Sequence, residues 1–389
     1  MIVMSIDNMI LDFIKSSRIN AFDNDFLESE QDRIKEIYDR CLLAVTKEYN
    51  AEYMPNLIIC RTYNKYSTVL PVRIKNNDFK YYILFDCYLR DINRLLNALY
   101  FDDNDSGHDI WKLSYELFAE DALIDNRDVL LSYYGLNKVA LGPFDVDMKS
   151  QEDLEFFVEI QDVYIMGHEL GHWIYKASSD LNKNKIFNID INEKRSVLLK
   201  EIKDILCEVY DDYQKNFHNR DYVPLINEQR NIVDDEKSSI HEECFADAIS
   251  YAIVFNYIQT EYDDAADYRL KAAQALLLGI MNLQLLAMQQ MCVVEESFES
   301  SVSIRLGFFR NYVGLYLERE SKRFLDIIQK TVLRYENRIT DLILECFAEL
   351  ERRADNIYDG LIDVNGQLDM SKILGISNEY TNSYMVTDK

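Results

Sequence analysis

The sequence predicts an α+β, predominantly helical fold in which a small sheet packs ahead of a helix carrying His168-Glu169-Leu170-Gly171-His172, with further helices at both ends. Three observations predict it. Apolar residues recur at i, i+3 and i+4 over long stretches, the spacing that one buried helical face requires. Three short runs rich in β-branched and aromatic residues fall close together between positions 57 and 85, as the strands of one small sheet would. Only 4 prolines and 11 glycines occur in 389 residues, so long helices with short polar connections are expected.

In chain order, 26–50 reads as an amphipathic helix with Ile34, Ile37, Tyr38, Cys41, Leu42 and Val45 on one face, ended near Pro55. Strands follow at 57–60, 69–74 and 79–85. Pro71 marks the second as an edge strand, because proline removes a ladder donor. A helix is expected over roughly 87–101. The acidic run Asp102 to Asp109 begins like a calcium loop, but its twelfth position is Leu113 instead of a bidentate glutamate, so it reads as a solvated turn. One helix spans about 153–178, another about 193–217, and 270–294 is an apolar helix with a polar edge. Its longest unbroken apolar run, Ala275 to Met281, is far short of the ~20 apolar residues of a membrane span, so it is expected to be a core helix. Beyond 295 a dense apolar helical segment contains Arg305 and Arg310, and a further helix is expected over about 336–357, then a polar tail from 370. No linker-like segment or repeat divides the chain. We expect an N-terminal helical segment (1–54), a central domain (55–320, with an insertion at 179–240 that includes Asp234-Asp235-Glu236) and a C-terminal helical segment and tail (321–389).

The pentapeptide His168 to His172 carries the chemistry. Histidines four apart lie one above the other on a helix, so both imidazoles can reach one metal ion, and the chain has only 5 histidines. Glu169 follows the first by one position, where its carboxylate can take a proton from a metal-activated water. A catalytic zinc needs a third protein ligand. The class that supplies Gly and His three and six residues after the second histidine is excluded, because Tyr175 and Ser178 stand there. A glutamate from a later helix is the alternative, and Glu243-Cys244-Phe245-Ala246-Asp247 offers one, with Asp247 a turn further on the same face. Asp247 would then accept the outer N–H of His168 or His172 and fix its tautomer. Glu242, if the register differs by one, and His241, as a third nitrogen, are rival ligands. Two histidines and a carboxylate also suit non-heme iron; the acid beside the first histidine favours zinc.

His168-Glu169-Leu170-Gly171-His172 followed by Glu243-x-x-Ala246-Asp247 resembles the gluzincin metallopeptidases, a group with integral-membrane and soluble members, among which are bacterial phage-exclusion peptidases with a similar order of elements. The resemblance covers roughly 55–310, and only the ten motif residues are specific. It implies a zincin-like core, Zn2+ bound by His168, His172 and Glu243, Glu169 as general base, Asp247 supporting a ligand histidine, and hydrolysis of a protein or peptide substrate. About seventy residues separate His172 from Glu243, more than in compact members of the group, so the intervening segment is an insertion. An oxyanion-stabilising group, usually His, Tyr or Arg, is also expected in such a site; Arg305, Arg310 and Tyr251 are candidates.

A net charge of −26 argues against nucleic acid, whose binders need a basic stripe to displace counterions, and against anionic membrane surfaces. Seven scattered cysteines form no C-x-x-C pair, which suits reduced thiols in a cytoplasmic protein, and Met1 to Asp7 lacks the basic start of a secretory signal. Two other readings accompany the hydrolase: a zincin-fold binding or sensor module whose hydrolysis is vestigial, and an acidic helical interaction protein without metal.

Overall fold

The structure, a computed structural model, describes residues 28–60, 65, 67–73, 79–102, 112–114, 117, 151–178, 186–187, 189–216, 239–262, 265–294, 301–341 and 343. The acidic run after Asp102, the 234–236 stretch, most of the helix expected at 336–357 and the tail from 370 lie outside the described residues. The rest is predominantly helical with one small three-stranded mixed sheet.

Helix α1 (Glu28–Tyr49) buries Ile34, Ile37, Tyr38, Cys41 and Val45, the face its periodicity marks out. It ends at Asn50, whose φ of 46° is a left-handed conformation that asparagine tolerates better than most residues. Strands β1 (Asn56–Cys60), β2 (Thr68–Arg73) and β3 (Phe79–Asp86) follow. The sheet order is β1-β3-β2, with β1 parallel and β2 antiparallel to β3. Pro71 pairs opposite Tyr81 on an edge strand, the position in a sheet where proline is tolerated. The central strand β3 is buried from Tyr81 to Asp86. Its last residue caps helix α2 (Cys87–Phe101), the Asp86 side chain accepting from the Tyr88 N–H at 3.0 Å; strand and helix therefore meet without a loop.

Helix α3 (Gln151–Ser178) is the hub. α4 (Ile191–Asn216), α5 (Ser239–Glu261), α6 (Ala265–Val294), α7 (Ser301–Tyr316) and α8 (Ser321–Tyr335) complete the described fold, with a π-helical turn at Glu336–Thr340. One hydrophobic cluster runs from Ile34 to Ile343. Buried polar pairs fix the N-terminal half of α3 against its neighbours. Gln161 and Asn97 exchange amide hydrogen bonds at 2.8 and 3.2 Å, and Gln161 also donates to the Ala275 carbonyl at 3.1 Å. Arg90 Nε donates to Asp162 Oδ2 at 2.8 Å. Within α6, Asp267–Ala287 is long and apolar enough to cross a membrane by length and composition alone, and 72% of its most apolar window is buried inside the protein.

Helices α3 and α5 approach each other closely. A Cβ on Gly171 would stand 2.6 Å from the Ala246 Cα, and one on Gly167 would stand 3.0 Å from the Ser250 Cα. Glycines four apart on one helix meet small residues four apart on the other, so the two backbones touch. Gly171→Ala must push α5 outward and is expected to destabilise by about 1–3 kcal/mol. Gly167→Ala, with more room, should cost less. Urea unfolding of the two variants measures the order; equal stabilities would refute the contact.

Candidate metal centre

The touching of α3 and α5 places one row of side chains from each helix opposite the other. Tyr164, His168, His172 and Lys176 recur every four residues along α3. Glu242, Glu243 and Asp247 face them from α5. His168 Nε2 lies 3.3 Å from Glu243 Oε2, His172 Nε2 lies 3.5 Å from Glu243 Oε1, and the two Nε2 atoms are 3.1 Å apart. Two imidazole nitrogens facing at that distance repel through their lone pairs unless a proton or a cation lies between them. Donors about 2.0–2.2 Å from a tetrahedral zinc stand about 3.3–3.5 Å from one another. The triangle has that size, and its three donors all lie within 4.8 Å of one another. His168, His172 and Glu243 could therefore hold a divalent cation, and nitrogen and carboxylate donors suit zinc. Among the described residues they are the only such group of three or more.

Each imidazole also has a carboxylate on its outer nitrogen. His168 Nδ1 is 3.0 Å from Asp247 Oδ1. His172 Nδ1 is 2.8 Å from Glu242 Oε1. The sequence left open which histidine Asp247 serves and whether Glu242 could be the ligand. In the structure Asp247 meets His168, while Glu242 reaches the far side of His172 and Glu243 the near side. His241 is buried but is not among the converging donors.

Asp247 is completely buried, and α7 supplies its counter-charge. Arg305 donates Nε to Oδ2 at 2.9 Å and an Nη to Oδ1 at 2.8 Å, with another Nη 3.3 Å from Glu243 Oε2. The Tyr164 hydroxyl donates to Asp247 Oδ1 at 2.8 Å and receives from Arg305 at 3.2 Å. Sequence reasoning missed Tyr164, although its place one turn before His168 on the same face was visible. Of the three candidate oxyanion groups, Arg305 is committed to these carboxylates. Tyr251 is fully buried, stacked on Tyr164 at 5.9 Å. Arg310 is exposed on α7. Neither of the latter two is brought to the triangle.

The charges follow from these contacts. Burial works against a charged His168, yet the Asp247 and Glu243 carboxylates outweigh it and lift its pKa to about 10. Burial also opposes ionisation of Glu243, but His168 and Arg305 hold it down at about 2. Asp247 is held below the usual carboxylate range by Arg305 and His168 against the same desolvation. Glu169, 6% exposed, is pushed the other way, burial raising its pKa against the lowering effect of both histidines.

Removing the guanidinium should leave Asp247 buried with too little counter-charge. Arg305→Met is expected to cost on the order of 3–5 kcal/mol in chemical denaturation of the metal-free protein. A loss below about 1 kcal/mol, the level of a surface pair, would mean that Arg305 does not carry this balance.

Compared with protein-family models, with curated proteins and with solved structures, the chain matches none.

Proposed function

We propose that this chain is a zinc-dependent endopeptidase of gluzincin type, with a zincin-like core formed by the sheet, α3 and α5. The observation that carries the reading is the convergence of His168, His172 and Glu243 at 3.1–3.5 Å from two helices, beside a buried carboxylate one residue from the first histidine. A purely structural site has no use for Glu169, and such sites are normally closed by a fourth protein ligand. No fourth donor joins the group among the described residues.

When bound, zinc supplies a Lewis acid that polarises a scissile carbonyl and makes water a nucleophile near neutral pH. Everything else falls to the chain. His168, His172 and Glu243 bind, and Glu243 keeps the site open on one side, its side chain 31% exposed. Asp247 orients the ring of His168. Glu169 takes the proton from the attacking water and hands it to the leaving amine; its raised affinity for a proton, caused by burial, suits both steps. The substrate class is a protein or peptide. We read α6 as a core helix on the strength of its burial, and the free thiols, with Cys41, Cys60, Cys87 and Cys244 buried and Cys207 exposed, fit a reducing cytoplasmic compartment.

Glu169→Gln should bind zinc like the wild type while hydrolysis falls by about 10²–10⁴-fold. Profiling of new protein N-termini in cells expressing each form measures this and names the substrate. Cleavage by the variant at the wild-type rate would remove Glu169 from the role of base.

The charge of His168 makes a second prediction. Because its folded pKa is raised to about 10, the stability it contributes to the metal-free protein is complete below about pH 6.5 and is lost as pH rises through about 10. Zinc must displace that proton. Uptake at pH 7–8 should release about one proton per site, and apparent affinity should climb with pH across that range. Calorimetric titration in two buffers of different ionisation enthalpy measures the release; identical heats in both would contradict a protonated His168.

A further inference from the structure

The two imidazoles are supported unequally. The His168 side is dry: Asp247 is 0% exposed and clamped by Arg305 and Tyr164. The His172 side is half-open. There Glu242, 27% exposed, lies 2.8 Å from Nδ1, and Lys176, 37% exposed and one turn beyond His172, approaches the same Glu242 oxygen at 3.6 Å. Consecutive residues on a helix point about 100° apart, so Glu242 and Glu243 straddle the ring of His172. One faces its outer nitrogen and the other its inner nitrogen. Neither the pentapeptide nor the Glu-x-x-Ala-Asp pattern requires an acid at position 242.

We propose that Glu242 is a positioning residue of the metal centre. This rests on the zinc reading above. Accepting the Nδ1–H of His172 fixes the tautomer that leaves the Nε2 lone pair free on the side of His168 and Glu243. It also holds the ring near the perpendicular arrangement seen against His168, with an interplanar angle of 89°. A carboxylate on the outer nitrogen makes the inner one a stronger donor. Lys176 restrains the free rotation of a half-exposed glutamate without burying a charge. Unlike Asp247, Glu242 can be replaced without stranding an ion in the core, so its effect on the metal separates from its effect on folding.

The test is zinc affinity, measured by competition with a chelating dye, together with melting of the metal-free proteins. The wild type, Glu242→Gln, Glu242→Ala and Glu243→Ala are compared. Glu242→Ala is expected to melt like the wild type without metal and to reach stoichiometric zinc at saturation, with affinity weakened about 10–100-fold. Glu242→Gln keeps an acceptor without the charge and should fall between. Equal affinity in Glu242→Ala and wild type would overturn the proposal while leaving the enzyme reading intact. So would complete loss of zinc in Glu242→Ala with retention in Glu243→Ala, which would make Glu242 the ligand. A matching loss of metal-free stability would reduce the residue to a structural part and overturn the proposal as well. A wild type that takes up no zinc sinks both this proposal and the function it rests on.

Discussion

Contact between two helix backbones governs the centre of this protein. Helices that pack through ordinary side chains run about 8–10 Å apart. Gly167 and Gly171 meet Ser250 and Ala246 with no intervening side chain, which brings α3 and α5 close enough for imidazoles and carboxylates to converge directly. The glycine inside the pentapeptide therefore acts on the candidate site through distance alone. It shapes the triangle although it offers no donor to it.

That closeness concentrates charge, and the fold balances it asymmetrically. Four acids, at 169, 242, 243 and 247, lie around two histidines. In a low-dielectric environment such a group is tolerated only if each anion has a partner. Arg305 provides the buried share from α7, and Lys176 the open share from α3 itself. Without a metal, a protonated His168 completes the neutralisation, and a divalent cation would take over that duty on binding. The same physics explains why Glu169 alone among the four has its proton affinity raised: burial acts on it, and no cation is bonded to it in the way Arg305 is bonded to Asp247.

Much of this was legible in the sequence, and the reasons are specific. Helix α1, the three strands, α2 and α3 fall within one or two residues of where periodicity and strand composition put them, because each is decided by local pattern and a clear stop. The histidine pair, Glu243 and Asp247 could be nominated because four-residue spacing is a property of a single helix. What depends on the separation of two helices could not be read. The division of labour between Glu242 and Asp247 needs the two rows set face to face. The role of Arg305 needs α7 docked across the pair, and the sequence offered Arg310 and Tyr251 on equal terms with it. Tyr164 was overlooked for a different reason: in a helix rich in apolar residues, a tyrosine passes for core unless the stripe through 164, 168, 172 and 176 is followed as a unit.

The sheet holds one more consequence. Its middle strand, β3, is the last of the three in the chain, while β1 and β2 flank it and never pair with each other. A growing or unfolded chain thus carries two strands with no neighbour until Phe79–Asp86 arrives between them. Asp86 then passes directly into α2, so the strand that joins the two edges is also the start of the helix that follows the sheet. Any process that exposes β3 unties both edges at once, and with them the layer that borders α3.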